Sequence, residues 1–341
     1  MKSLLTTVFL FAITAHSSFA QWDGHRPDGH SSINIMGDHT HEKGEIMFSY
    51  RLMHMLMDGN RDGTDELALS EILGGTQGTG SYMVAPTEMP MIMHMFGAMY
   101  AVSDNVTLMT MIPFLDNSMD HLTAMGQEFT TESGGIGDIS VSALYTFFRK
   151  RNMKMHWQIG LSLPTGSIEE MDVTPASDPN ETILPYPMQI GSGSFDFIPG
   201  LTFLHQTSSI SYGVQLRSAI RLTDNDNDYR LGDRFETNVW GGYRLTDWLS
   251  PQVSARFSTW ENISGADDRL NPAMIHTADP LLKGGSRVDL GVGLNLMAPE
   301  NTSLKGARLG ISYEVPVYQY LQGPQMQLTG IATVGVMYSF H

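Results

Sequence analysis

A period of two runs through most of this chain, and that period leaves few folds open. Methionine occupies Met89, Met91, Met93 and Met95, then Met99, then Met109 and Met111 beyond a Ser103-Asp104-Asn105 turn. The same spacing recurs at Met53, Met55 and Met57. Alternate residues of a β-strand share one face. The thioethers therefore form combs on neighbouring strands.

Alternation of this kind marks about twelve segments of roughly 10 to 14 residues, the length a tilted strand needs to cross a bilayer. They lie near 45–57, 88–101, 106–116, 137–148, 155–165, 195–205, 210–221, 233–244, 250–260, 286–297, 306–318 and 327–340. Short connections fall at Ser103 to Asn105, Arg149 to Lys154, Gln206 to Ser209, Thr246 to Trp248 and Ala298 to Lys305. The alternate connections are longer, notably 58–87, 117–136, 166–194 and 261–285. Such alternation puts all short turns on one rim. The expected fold is all-β, a transmembrane antiparallel barrel of about 12 strands with short periplasmic turns and long external loops. A soluble β-sandwich also alternates, but needs neither strands of this length nor one-sided loops.

The last strand fits a lipid boundary. Leu328, Ala332, Val334, Val336, Tyr338 and Phe340 share a face, while Thr329, Thr333, Gly335 and Ser339 share the other. On the first strand Ile46, Phe48, Tyr50 and Leu52 oppose Met47, Ser49, Arg51, Met53, Met55 and Met57. An arginine at mid-depth on lipid costs about 2–4 kcal/mol, which turns Arg51 and its methionine neighbours inward. His54 and His94 then fall on the lipid face. The reverse assignment would put those histidines in the lumen and the methionines on lipid.

Three segments follow from the pattern. Residues 1–20 carry Lys2, an apolar run from Leu4 to Ile13 and a Ser18-Phe19-Ala20 cleavage site, the form of a secretory signal peptide. Residues 21–44 make a histidine-containing periplasmic segment, and 45–341 make the barrel. The chain has no cysteine, so no disulfide framework supports it and stability must come from a large fold. A formal charge of −16 disfavours nucleic acid and suits cations. Outer-membrane lipid and lipopolysaccharide are the expected surroundings.

Thioether with imidazole selects soft or borderline metals, Cu(I) above all where methionine dominates. His25, His30, Met36, His39 and His41 precede the first strand, on the periplasmic side, and Met119, His121 and Met125 fall in the second external loop. Ligand types thus stand at both ends of a passage lined by Met53, Met55, Met57, Met89, Met91, Met93, Met95, Met99, Met109 and Met111. One reading is a copper-handling channel. Methionine is equally an adaptable hydrophobe, so a channel for hydrophobic or aromatic solutes is the alternative. A structural outer-membrane protein that transports nothing is the third.

Asp58, Asn60 and Asp62, followed by Gly63, reproduce the first half of a calcium loop, but Leu69 stands where the closing glutamate belongs. Asp224, Asp226 and Asp228 form an acidic cluster in a later loop, where calcium or lipopolysaccharide-bridging cations could sit. No GxSxG arrangement accompanies them. Glu42 and Glu45, like Glu169 and Glu170, are paired acids with no partner evident in sequence. Catalysis is not expected.

Several blocks carry a resemblance: MGDHTHEKGEIMFSYR from Met36, MVAPTEMPMIMHMFGAMY from Met83, LPYPMQIGSGSFDFIPGLTF from Leu184, with TTESGGIGDISVSALY, LPTGS, YRLGDRFETNVW and GPQMQ. Together they resemble the outer-membrane transporter family labelled for the meta pathway of phenol degradation. The resemblance covers most of the mature chain. It implies a barrel and uptake of aromatic compounds. The methionine and histidine blocks look like a metal-associated branch of that family.

Overall fold

The computed structural model describes residues 22–299 and 301–340, so the signal segment lies outside it. Eleven antiparallel strands close a ring: β1 (Ile46–Gly63), β2 (Val84–Ser103), β3 (Val106–Thr123), β4 (Ile139–Lys150), β5 (Met153–Leu163), β6 (Asp196–Gln206), β7 (Ile210–Arg221), β8 (Arg234–Tyr243), β9 (Leu249–Trp260), β10 (Gly285–Met297) and β11 (Ala307–Phe340). β11 folds back on itself near Gly323. Its first half pairs with β10 and its second with β1, from Ile46 opposite Phe340 to Gly63 opposite Leu321. The bilayer is thus crossed twelve times, as the alternation predicts. Closure leaves none of these eleven strands as a free edge, which lipid requires because it cannot satisfy free backbone groups.

Expected parity holds on the outer face. Phe48, Leu52, Phe96, Ile112, Val239, Val253, Val292, Val334 and Val336 are exposed on it. Tyr100, Tyr145, Trp157, Tyr212, Tyr243, Tyr338 and Phe340 gather toward the short-turn rim, the aromatic girdle that marks a membrane interface. His54 and His94 do lie on this face, opposite Ile92 and Leu52. The Tyr50 hydroxyl sits 2.8 Å from His94 Nδ1 and gives that ring a polar partner. Leu328 departs from the expected face. A bulge between Gly330 and Leu328 turns it inward, where it is buried.

Strands also run beyond the predicted ends. β1 continues to Gly63, so Asp58, Asn60 and Asp62 stand in a bulged strand and not in a free loop. The Asn60 side-chain amide donates to the Pro86 carbonyl at 2.8 Å, and Asp58 pairs with Glu88. Cross-strand pairing holds this backbone extended, whereas a calcium loop must wrap its ion. β3 likewise runs to Thr123 and pairs with a short strand, Glu128–Ile136, so Met119 and His121 lie on strand and not in the loop expected there.

The segment before β1, expected on the periplasmic side, takes up a defined place. Residues 26–41 are almost wholly buried, folded back into the barrel from the short-turn rim as a plug. A segment without regular structure needs partners for its backbone groups when buried, and inward side chains of the wall supply them. Arg51 Nε donates to the Ile33 carbonyl at 3.0 Å, Arg308 Nη2 to Ser31 at 2.6 Å, Gln215 Nε2 to Met36 at 2.9 Å and Lys154 Nζ to Thr40 at 2.9 Å. Asn295 Nδ2 reaches the Ser31 carbonyl at 3.1 Å, and His156 Nε2 lies 2.9 Å from that of Gly37. Ile33 fits because the wall has glycine there: a Cβ on Gly310 or Gly335 would come within 2.7 or 3.0 Å of its side chain.

At the opposite rim the loops form a cap. Arg269 pairs with Asp267 at 2.7 Å and with Glu169 at 3.1 Å, joining two loops 100 residues apart. The Tyr186 hydroxyl accepts from the Asp267 amide at 3.1 Å, and Tyr186 packs edge-on against Tyr229. Arg269 holds both carboxyls below their ordinary range. A carboxylate depressed in the folded state contributes above its unfolded pKa and loses that contribution as pH falls. Protection of residues 164–195 and 261–284 against hydrogen exchange, relative to the intrinsic rate at each pH, should therefore fall on acidification. Arg269→Ala should produce the same fall at neutral pH and abolish the acid dependence.

Candidate metal centre

The register of β1, β2 and β3 turns the sequence combs into rungs. Met47 faces Met99, which faces Met109; higher up, Met53 faces Met93, Met55 faces Met91 and Met57 faces Met89. Directly opposed side chains have Cβ atoms about 4.5–5.5 Å apart, and successive rungs on one face lie about 7 Å apart along the strand. Two buried knots anchor this column. Near the plug Met47, Met99, Met109, Met111 and Met337 pack with Ile33 and Leu144, joined by Met36 and Met95. Toward the cap Met89, Met119, Leu184 and Met188 pack together, joined by Met57, Met91 and Met326. The opposite wall is ionic, with Arg256 on Glu314 at 3.1 Å and Arg287 on Asp289 at 2.8 Å.

The plug-side knot meets a group of histidines. A void of about 10 Å³ is lined by Met36, Asp38, His39, Met47, Met99, Met109 and Met111, so sulfur and imidazole adjoin there. Donor atoms of His30, Asp38 and His39 all lie within 4.8 Å of one another. The rings of His30 and His39 meet edge-on at 4.5 Å, and those of His39 and His41 at 4.9 Å. Carboxylates hold one nitrogen on two of the rings: Asp38 Oδ1 is 2.7 Å from His39 Nδ1, and Glu45 Oε1 is 2.8 Å from His41 Nδ1. Burial keeps His30 and His41 below the usual imidazole range, and so neutral at neutral pH. The His41 contact brings the Glu45 carboxyl to about 2 against the opposing cost of burial. A cavity of about 290 Å³, lined by His25, His30, His39, His41, Glu42 and Glu45, leads from this group to the rim.

Residues 75–329 match the model of the family described as "Putative MetA-pathway of phenol degradation". The chain belongs to this family. Among solved structures it is similar to the COG4313 outer membrane channel from Pseudomonas putida F1, at 12% identity and a TM-score of 0.60, over 90% of this chain and 100% of that one. It also matches the TodX monoaromatic hydrocarbon channel at 9% identity and a TM-score of 0.46, over 96% and 100% of the two chains. A Pseudomonas aeruginosa FadL homologue matches at 10% identity and a TM-score of 0.44, over 87% and 91%. No curated protein matches the chain. The barrel has the fold of an outer-membrane channel.

The candidate ligands thus divide. Met99, Met109, Met111, Met89 and Met119 are buried in the knots, Met36, Met57, Met91 and Met95 pack against them, and Met53, Met55 and Met93 line the span between. His30, His39 and His41 come together, with His25 exposed at the mouth. His121 is buried but stacks on Phe129 at 4.6 Å, and Met125, at 72% exposure, joins neither knot. Sequence reasoning missed Met47, Met188, Met326 and Met337 as knot members, although Met47 and Met337 have inward parity. It also missed Asp38 and the pairing of Glu45. The interval from Glu45 back to His41 is one readable signal for the latter.

Proposed function

We propose that this protein is an outer-membrane channel that handles copper, taking Cu(I) along its methionine wall to or from the histidine-bearing plug. The observation that carries this reading is three opposed methionine pairs at successive levels, Met57–Met89, Met55–Met91 and Met53–Met93, with a further pair, Met47–Met99, beside buried His39 beyond the Arg51–Met95 and Ser49–Gly97 levels. Soft thioethers favour Cu(I), and repeated weak contacts suit an ion that must also leave. The wall leaves passage to motion of the plug, since the void at its contact with the plug-side knot is only about 10 Å³. A strain lacking the protein should differ from its parent in cellular copper content and in growth under excess copper. Equal values in both measurements would overturn the reading.

A second reading draws on the cap, where Met83, Phe129, Ile183, Leu184, Leu270 and Ile275 help line a cavity of about 430 Å³. Apolar cavities of this size accept small aromatic molecules, and the family description names phenol degradation. Uptake of a labelled aromatic compound tests it. Equal uptake with and without the protein dismisses it.

A further inference from the structure

We propose that the plug is itself a divalent-cation site, with His30, His39 and His41 as its donors and Asp38 and Glu45 as the carboxylates that orient His39 and His41, and that the bound ion pins the plug inside the barrel. The inference shares with the copper reading only the premise that this pole meets metal ions. Its ligand chemistry differs, because imidazole nitrogens suit a borderline divalent ion such as Zn(II) or Cu(II), whereas thioethers suit Cu(I).

Three observations converge. His30 Nδ1, His39 Nε2 and His41 Nε2 are buried, and none has a hydrogen-bond partner among the described residues. Buried polar atoms are seldom left so, and three on adjoining rings call for a common partner. The second observation is the pairing of His39 Nδ1 with Asp38 and of His41 Nδ1 with Glu45, at 2.7 and 2.8 Å. A carboxylate that takes one ring N–H fixes the tautomer and presents the other nitrogen's lone pair, the arrangement found behind metal-bound histidine. Thirdly, the rim cavity gives an ion a route from outside without crossing the lumen.

The placement of the donors supplies the pinning. His30 lies on the limb entering the lumen, and Asp38, His39 and His41 lie on the limb leaving it, with Ile33 at the turn between. An ion shared by both limbs closes the loop that fills the lower barrel. Arg308, held by Ser31 and Asn295, adds positive charge nearby, and Asp38 offsets it.

The test uses the full-length mature protein in detergent, stripped with a chelator and titrated with Zn(II) alone. One ion per barrel is expected by calorimetry, with slower hydrogen exchange in residues 29–41 once the ion is bound. His39→Gln should abolish both effects, and Asp38→Asn should weaken binding roughly 10- to 100-fold, as loss of an orienting carboxylate does. A heat-modifiability gel confirms that each variant keeps its barrel. Met99→Leu with Met109→Leu should leave Zn(II) binding intact, so this inference and the copper reading fail separately. Zn(II) binding that survives both His39→Gln and His30→Gln, or binding that leaves exchange in the plug unchanged, would overturn the proposal.

Discussion

A cysteine placed at position 111 should be almost inert to a water-soluble thiol reagent in the intact protein and should react readily once residues 22–43 are removed. The absence of native cysteine makes Met111→Cys a clean reporter. Met111 is buried in the knot beneath the plug, and the plug is held by wall donors on its carbonyls. A smaller change should show the same effect by degree. Arg308→Met removes the donor that serves both the Ser31 carbonyl and Asn295 Oδ1. Asn295 still serves the Ser31 carbonyl, so what is lost is one hydrogen bond from a charged donor, worth about 1.5–3 kcal/mol, which raises the unplugged population, and with it the labelling rate, by roughly 10- to 150-fold. Unchanged protection after removal of the whole segment would show that closure lies in the cap and not in the plug.

The second large effect concerns the sulfur wall. Replacing Met99, Met109 and Met111 together by leucine should lower Cu(I) affinity by at least about tenfold, or ~1.4 kcal/mol, measured by competition with a coloured Cu(I) chelator. The swap conserves volume, and each exchange of this kind usually costs less than about 1.5 kcal/mol. Retained heat-modifiability would separate lost ligation from lost structure. Equal Cu(I) affinity in the triple variant would remove the thioethers from any metal role and leave them as packing.

What could be read in advance follows from what each environment demands. Lipid tolerates one parity only, so Arg51 sufficed to turn the methionines inward, and the exposed Phe48, Leu52 and Phe96 agree. Strand ends were less legible, because past the bilayer pairing continues without an apolar face to mark it, as at Asp58–Gly63. Leu328 was misplaced because one bulge inverts parity without a trace in composition. The plug was invisible for a different reason. Residues 26–41 have no period, and their Asp, His, Ser and Gly content reads as a solvated extension. The clue lay in the partners: Arg51, Lys154, Gln215, Asn295 and Arg308 all point inward from the wall, and donors in that position need carbonyls to meet.

The same contacts impose an order of assembly. Ser31 is secured by Asn295 and Arg308, respectively 264 and 277 residues downstream, on the hairpin that completes the cylinder. Residues 26–41 therefore gain their full set of partners only with the hairpin that completes the cylinder in place.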